Sequence, residues 1–208
     1  MNTRRALTIL STASAVVLLG AACAGQSTAE GPSSESVVYV SADYPEYGST
    51  EAALEAADVV LVGTVESSRE LIEYPEVDDS GTGLENPQSG VAVSDEDLKE
   101  MGVVTTVTTI KVSEVISGDV EVGDSVEVSQ VGGTSEGVTY IEESTTFIEE
   151  TASPEVLLLL NDFGDGDYDL VNPVEGVYEV SDDQVEALPG SGVQPEVSSL
   201  EEVRGFTE

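Results

Sequence analysis

Residues 103–116 read VVTTVTTIKVSEVI, and eleven of these fourteen side chains branch at Cβ. Branched side chains lose rotamer freedom in a helix and pack well on a pleated surface, so the run commits the middle of the chain to a long strand. Its neighbours extend the pattern. Val126 and Val128 alternate with Ser125, Glu127 and Ser129 between the turn signals Gly123-Asp124 and Gly132-Gly133, as in a half-buried antiparallel strand. Residues 156–160, VLLLL, are apolar on both faces and belong at the centre of a sheet or barrel. Further strands are expected at residues 59–65 and 168–171, and SVVYVSADYPEYGS offers a short edge strand ahead of Pro45. GVYEVSDDQVEAL reads as a hairpin with Asp182-Asp183 at its tip.

Helices are few and short. Ser49 or Thr50 can cap an alanine-rich turn running to Ala57. Ser94 and Asp97 are spaced as a capping box, Val93 and Leu98 as a hydrophobic staple, and Gly102 can end that helix. SSLEEVRGF suggests a terminal helix. The expectation is a mostly β domain, a single OB-like barrel or β-sandwich with two or three short helices. Residues 75–90 are rich in turn formers and form a long loop, either a recognition segment or a disordered one.

The N-terminus is of another kind. Arg4 and Arg5 precede an uncharged apolar stretch through Leu19 that is too short to span about 30 Å of hydrocarbon comfortably. This is the pattern of a secretory signal peptide. Leu19, Gly20, Ala21 and Ala22 ahead of Cys23 resemble a bacterial lipobox, while Ala22, Cys23 and Ala24 also spell an ordinary A-x-A cleavage site. Under the first reading Cys23 becomes the first mature residue and carries a diacylglycerol thioether, and two acyl chains anchor stably where one is marginal. Under the second the protein is secreted free. The lipidated reading fits better because Cys23 is the one cysteine of the chain and stands where lipidation needs it. The expected organisation is a signal peptide over residues 1–22, lipidated Cys23 with a small, polar tether to residue 36, a β-rich domain over 37–188, and a C-terminal loop and short helix over 189–208.

All 42 acidic residues lie beyond residue 22, where the only bases are Arg69, Lys99, Lys111 and Arg204. Charge of one sign at this density opposes compaction, and salt relieves it as the Debye length falls from about 10 Å at 0.1 M to about 3 Å at 1 M. A domain that prefers salt is expected, with an acidic surface that also keeps it soluble. Nucleic-acid binding is excluded, because almost nothing is available to neutralise phosphates. Anionic lipid headgroups are disfavoured likewise, leaving Cys23 as the contact with the membrane. Disorder is not implied: 39% of residues are hydrophobic, and they recur in alternating runs.

Catalytic signatures are sparse. With no histidine, Ser-His-Asp and Cys-His mechanisms and the common His-bearing metal sites are absent. No glycine-rich stretch opens a helix in the manner of a phosphate loop. A pair of carboxylates could hydrolyse a glycosidic bond, yet with 42 acids some pair will be close by chance, and the absence of Trp leaves a sugar cleft poorly supplied with stacking platforms. No catalytic residue is assigned. Asp162, Asp165, Asp167 and Asp169 are candidates for a Ca²⁺ site, since carboxylates in a glycine-bearing loop supply oxygen ligands. They depart from the EF-hand pattern: with Asp165 as first ligand, Leu170 stands where glycine is required and Gly176 where the bidentate Glu should be. Asp167 and Asp169 also alternate with Tyr168 and Leu170, as outward residues of a strand do. Tyr39, Tyr44 and Tyr47 form either a binding patch or packing against the domain.

The succession EAADVVLVGTV, a long insert, TTVTTIKVSEVISGDVEVGDSVEV, then GG, EVLLLL and YDLVNPVEGVYEV resembles a group of uncharacterised actinobacterial lipoproteins. The arrangement is also similar to the OB-like barrel of tissue-inhibitor-of-metalloproteinase-type domains, without the disulfides and N-terminal cysteine amine those inhibitors use. Both resemblances imply an extracytoplasmic β domain and neither implies a catalytic residue. The function expected is that of a membrane-anchored, non-catalytic binding or envelope-accessory module with a partner in the envelope or among secreted proteins. The alternatives are a surface hydrolase using carboxylates, with or without calcium, and an acidic coat protein.

Overall fold

The computed structural model describes residues 36–75, 86, 93–164, 166–189, 191 and 195–207. The β-branched run is β3 (Val103–Ser117), and the strand expected at 59–65 extends much further, as β2 (Val59–Glu73). These two fifteen-residue strands pair antiparallel along almost their whole length. The added half of β2, ESSRELIE, has no apolar alternation and is specified by its pairing with β3.

The remaining strands close a ring. β3 pairs with β4 (Ser125–Val131), β4 runs parallel to β8 (Asp167–Leu170), β8 returns antiparallel to β7 (Glu155–Asp162), and β7 pairs with β2. The order β2-β3-β4-β8-β7 is that of a five-stranded OB-like barrel. The hairpin of β9 (Val177–Ser181) and β10 (Gln184–Ala187) continues the sheet beyond β7. Its tip has Asp182 and Asp183 at φ of 51° and 63°, the left-handed pair that a two-residue hairpin turn requires and Asp tolerates.

Two hydrophobic layers lie on opposite faces of β2 and β7. Val59, Leu61, Val156, Leu158 and Leu160 point into the barrel with Ile110, Val128, Tyr168 and Leu170. Val60, Val62, Leu157 and Leu159 point outward, under α1 (Thr50–Ala56) and α3 (Leu200–Thr207), which contribute Ala53, Leu54, Leu200 and Val203. This accounts for the apolar character of residues 156–160 on both faces: all five are at most 1% exposed. Each such burial is worth about 1.5–3 kcal/mol in transfer terms. The C-terminal segment is therefore not an appendage to a domain ending at 188. Val197, Leu200 and Val203 belong to the outer core, Leu200 N donates to Asp183 O at 3.0 Å, and Arg204 donates through Nε and Nη2 to the Glu114 carboxylate at 2.6 and 2.8 Å.

One end of the barrel is plugged by the 3₁₀ turn Ile148–Glu150, whose Ile148 is fully buried. Gln130, at the inward position after Val126 and Val128, holds it: Oε1 accepts from Ile148 N at 2.9 Å and Nε2 donates to Thr146 O at 3.0 Å. The polar stretch between β4 and β7, for which the sequence suggested no strand, contains β5 (Gly133–Ser135) and β6 (Val138–Glu142). Both join a separate three-stranded sheet in which β1 (Ser36–Val40) is indeed an edge strand, running parallel to β6. Ser49 caps α1 and the Ser94/Asp97 capping box opens α2 (Asp95–Glu100), both as expected. Among the described residues no helix is long and apolar enough to cross a membrane.

Register shifts after Val60, Val62 and Val65 coil β2 so that its first half faces β7 while its second half follows β3 away. Gly63 sits at one of them because the strands approach too closely for a side chain: a Cβ there would lie 2.4 Å from Ile110 Cγ2 and 2.8 Å from the Lys111 carbonyl oxygen. Alanine ordinarily gains about 0.5–1 kcal/mol over glycine in a strand. A clash with backbone outweighs that gain, so Gly63→Ala is expected to destabilise by about 1–3 kcal/mol. The check is the urea midpoint at unchanged slope; a wild-type midpoint would contradict the close approach.

Candidate functional site

Ten large hydrophobic side chains lie exposed among the described residues, and four of them, Tyr74, Met101, Val103 and Phe163, ring one groove of about 530 Å³. The groove lies against the outer wall of the barrel where β3, β4 and β8 run side by side. Strand alternation puts Val126, Val128 and Gln130 of β4 toward the interior and leaves Ser129 and Val131 on the groove side. In β8 the same alternation buries Tyr168 and Leu170 and turns Asp167 and Asp169 outward.

Three connections raise its rims. The end of β2 brings Glu73 and Tyr74 up to the junction between α2 and β3. Gly102 follows that helix as the sequence suggested, but its conformation is not left-handed and its smallness serves contact: a Cβ would lie 2.6 Å from Ile72 Cγ2 and 2.8 Å from Tyr74 Cε1. The opposite rim is the β7–β8 turn, where Phe163 is 72% exposed. Tyr44 and Pro45, from the segment between β1 and α1, complete the lining. Asn172 fixes that segment by donating from Nδ2 to Pro45 O at 2.7 Å, while its Oδ1 accepts from Val174 N and Glu175 N at 2.8 and 3.1 Å.

The two charged side chains lining this groove, Glu73 and Asp169, are both acids. Glu73 Oε2 accepts from the Thr105 hydroxyl at 3.2 Å. The Asp169 side chain is exposed to solvent at its outer side, yet the protein packed around it, with the negative charges of Glu73 and Asp167, pushes its carboxyl up to about 6. Burial also raises the Tyr44 phenol, reinforced by Glu142 and Asp169. Beside the groove Arg69 makes a two-pronged ion pair with Glu127, at 2.6 and 2.7 Å, and these hydrogen bonds hold the Glu127 carboxyl below its ordinary range. That guanidinium is committed to its partner and does not neutralise Glu73 or Asp169.

The four aspartates singled out in the sequence are placed differently. Asp162 shapes the turn itself, accepting from Gly164 N at 2.7 Å, and its backbone N donates to Asp58 Oδ2 at 3.1 Å. Asp167 and Asp169 project from the outer face of β8, and Asp165 lies outside the described residues. Among the described residues no three acidic, His or Cys side chains are gathered as a metal ion would need. Cys23 and the loop at 75–90, apart from Pro75 and Asn86, also lie outside the described residues. Of the three tyrosines, Tyr44 lines the groove, Tyr47 packs against the outer core and Tyr39 is 69% exposed.

Neither a protein-family model nor a curated protein matches this chain. What the groove can bind follows from its own residues. Sequence reasoning passed over Glu73, Tyr74, Met101, Val103 and Phe163. Phe163 carried a signal, a large apolar residue inside the polar turn NDFGDG. The others are brought together only by tertiary structure.

Asp169 gives a pH dependence with a definite sign. Below about pH 4 it is neutral in both folded and unfolded chains. Between there and its folded value of about 6 the unfolded chain ionises while the folded one keeps the proton, so stability falls across that window and the penalty persists above it. Asp169→Asn is therefore expected to raise the melting temperature near pH 7.5 relative to wild type and to leave it nearly unchanged near pH 3.5. An equal effect at both values would contradict the raised carboxyl.

Proposed function

We propose that the chain is an extracytoplasmic lipoprotein whose OB-like domain is a non-catalytic binding module, with the groove beside β3, β4 and β8 as its ligand seat. Diacylated Cys23 holds it at the outer face of the cell membrane, and the polar segment to residue 36 gives it reach toward small ligands and envelope or secreted partners. The acidic composition suits this module to a salty exterior.

The observation that carries the binding reading is the gathering of exposed Tyr74, Met101, Val103 and Phe163 around one concavity. OB barrels take ligands on the outer face of their second and third strands, between the loop joining strands one and two and the loop joining four and five. In this barrel those are β3 and β4, the β2–β3 connection and the β7–β8 turn, the elements that build the groove. Its volume falls within the range of small-molecule sites. Anchoring is supported by the succession Arg4-Arg5, apolar stretch and Leu19-Gly20-Ala21-Ala22-Cys23.

A second reading, a carboxylate hydrolase, has one observation in its favour: a protonatable Asp169 shares a concave site with Glu73. Saccharide turnover abolished by either Asp169→Asn or Glu73→Gln would establish it in place of the binding module.

Anchoring is tested by expressing the full chain in a lipoprotein-processing bacterium. The wild type is expected to partition with membranes and to incorporate labelled fatty acid, and Cys23→Ser to lose the label. A wild-type product that is unlabelled, released to the medium and starts after Ala24 would overturn the anchor.

A further inference from the structure

We infer that the groove selects a small organic cation, a protonated amine or guanidine carried on an aromatic or alkyl body. This deepens the binding proposal and rests on its ligand seat.

The walls and the charge point to the same ligand. Phe163, Tyr74 and Tyr44 offer ring faces and edges, and Met101 and Val103 offer soft apolar surface, in a space of about 530 Å³. A purely apolar ligand would suit those walls but would cover Glu73 and Asp169, stripping water from carboxylates without giving them a partner. An anion would be repelled by both acids and by Asp167 beside them. A cation relieves the repulsion that Glu73 and Asp167 exert on Asp169, and its positive head is attracted to ring faces as well.

No lysine or arginine lines this groove, and Arg69 in the adjoining depression is paired with Glu127. The missing positive charge is thus left for the ligand to bring. A compact occupant fits better than a long one, because the apolar ring is confined to the two rims while the surrounding surface carries charge.

Occupancy should also follow pH. Facing Asp169 are Glu73 from β2, Asp167 on its own strand and Tyr44 from the β1–α1 segment, with the Arg69–Glu127 pair alongside. Asp169, with its carboxyl pushed up to about 6, titrates close to neutrality. Protonating it below about pH 6 removes part of the attraction, so cation binding should weaken as the solution is acidified.

The test uses the full chain in detergent at about 0.15 M salt, where diffuse surface attraction is screened over roughly 8 Å. Phenethylammonium, phenethyl alcohol and phenylacetate share one aromatic body and differ in charge. Each is titrated while the backbone amides of Tyr74, Val103, Phe163 and Asp169 are followed by NMR. The cation is expected to saturate with shifts at these residues, the alcohol to bind about tenfold more weakly, and the acetate not to bind. Asp169→Asn should lower cation affinity several-fold and leave the alcohol unchanged, Phe163→Ala should weaken both, and acidification from pH 7.5 to 5 should weaken the cation alone.

Equal binding of cation and alcohol in the groove would overturn charge selection while leaving the ligand seat standing. Shifts scattered over the acidic surface, with affinity indifferent to Asp169→Asn and Phe163→Ala, would overturn the seat as well, as would an absence of shifts with all three probes. The peptide Phe-Lys-Phe binding more than about tenfold tighter than phenethylammonium would overturn the small-molecule occupant in favour of a protein segment.

Discussion

β8 is four residues long and hydrogen-bonds on both edges, in parallel to β4 and antiparallel to β7. Without it β4 would present an open edge, as would the end of β7 at Leu160 to Asp162 that β9 does not reach, and the apolar interior between them would face water. With it the ring closes. Tyr168 and Leu170, 8% and 6% exposed, enter the interior. Gly164 and Gly166, at φ of 90° and 88°, let the chain reverse tightly enough after β7 for so short a strand to pair at once with its predecessor. The long β2–β3 hairpin supplies most of the wall, but its curl becomes a barrel only because β8 spans the gap.

Closure also determines where chemistry can sit. The period of two that sends Tyr168 and Leu170 inward sends Asp167 and Asp169 outward, onto a wall shared with Ser129 of β4 and Thr105 of β3. The turn that makes β8 possible lifts Phe163 over that wall, and the far end of the hairpin lifts Tyr74, Met101 and Val103 on the other side. The groove is thus a by-product of how the ring is closed, and its acidity follows from the outward positions of β8. In a chain of formal net charge −36 most acids face open solvent, whereas Asp169 is held where its charge is costly. The only two arginines beyond the signal-like N-terminus are both in two-pronged pairs, Arg69 with Glu127 across the barrel wall and Arg204 with Glu114 tying α3 to β3.

What could be read from the sequence was what local physics decides. The β-branched run of β3, the alternation of β4, the doubly apolar β7, the Asp182-Asp183 turn and both N-caps all depend on residues within a few positions of one another. β5 and β6 were illegible because they are short and polar, and because β6 pairs with β1 across a hundred residues of sequence, Ser36 opposite Val138. The second half of β2 lacks a hydrophobic period because Arg69, Leu71 and Glu73 border the depression beside the groove while Glu70 lies against Gly133 of β5, and neither side enters a hydrophobic core, so only its register with β3 makes it a strand. SSLEEVRGF was legible as a terminal helix, yet nothing local showed that its Leu200 and Val203 would seal the outer core. The groove was the least legible feature, since its lining comes from seven separated segments. The acids at 162–169 stood out in the sequence as possible calcium ligands, whereas Phe163 among them, which rims the groove, did not.

The claim on which the fold and its groove both rest is that β8 closes the ring, and native-state hydrogen exchange tests it directly. The backbone amides of Tyr168, Asp169 and Leu170 are expected to be protected to nearly the same degree as those of Val156 to Leu160 in β7, and to open with them in one cooperative unit. Rapid exchange of the three β8 amides beside a protected β7 would mean an open sheet in place of a barrel, and the groove wall built on β8 would fall with it.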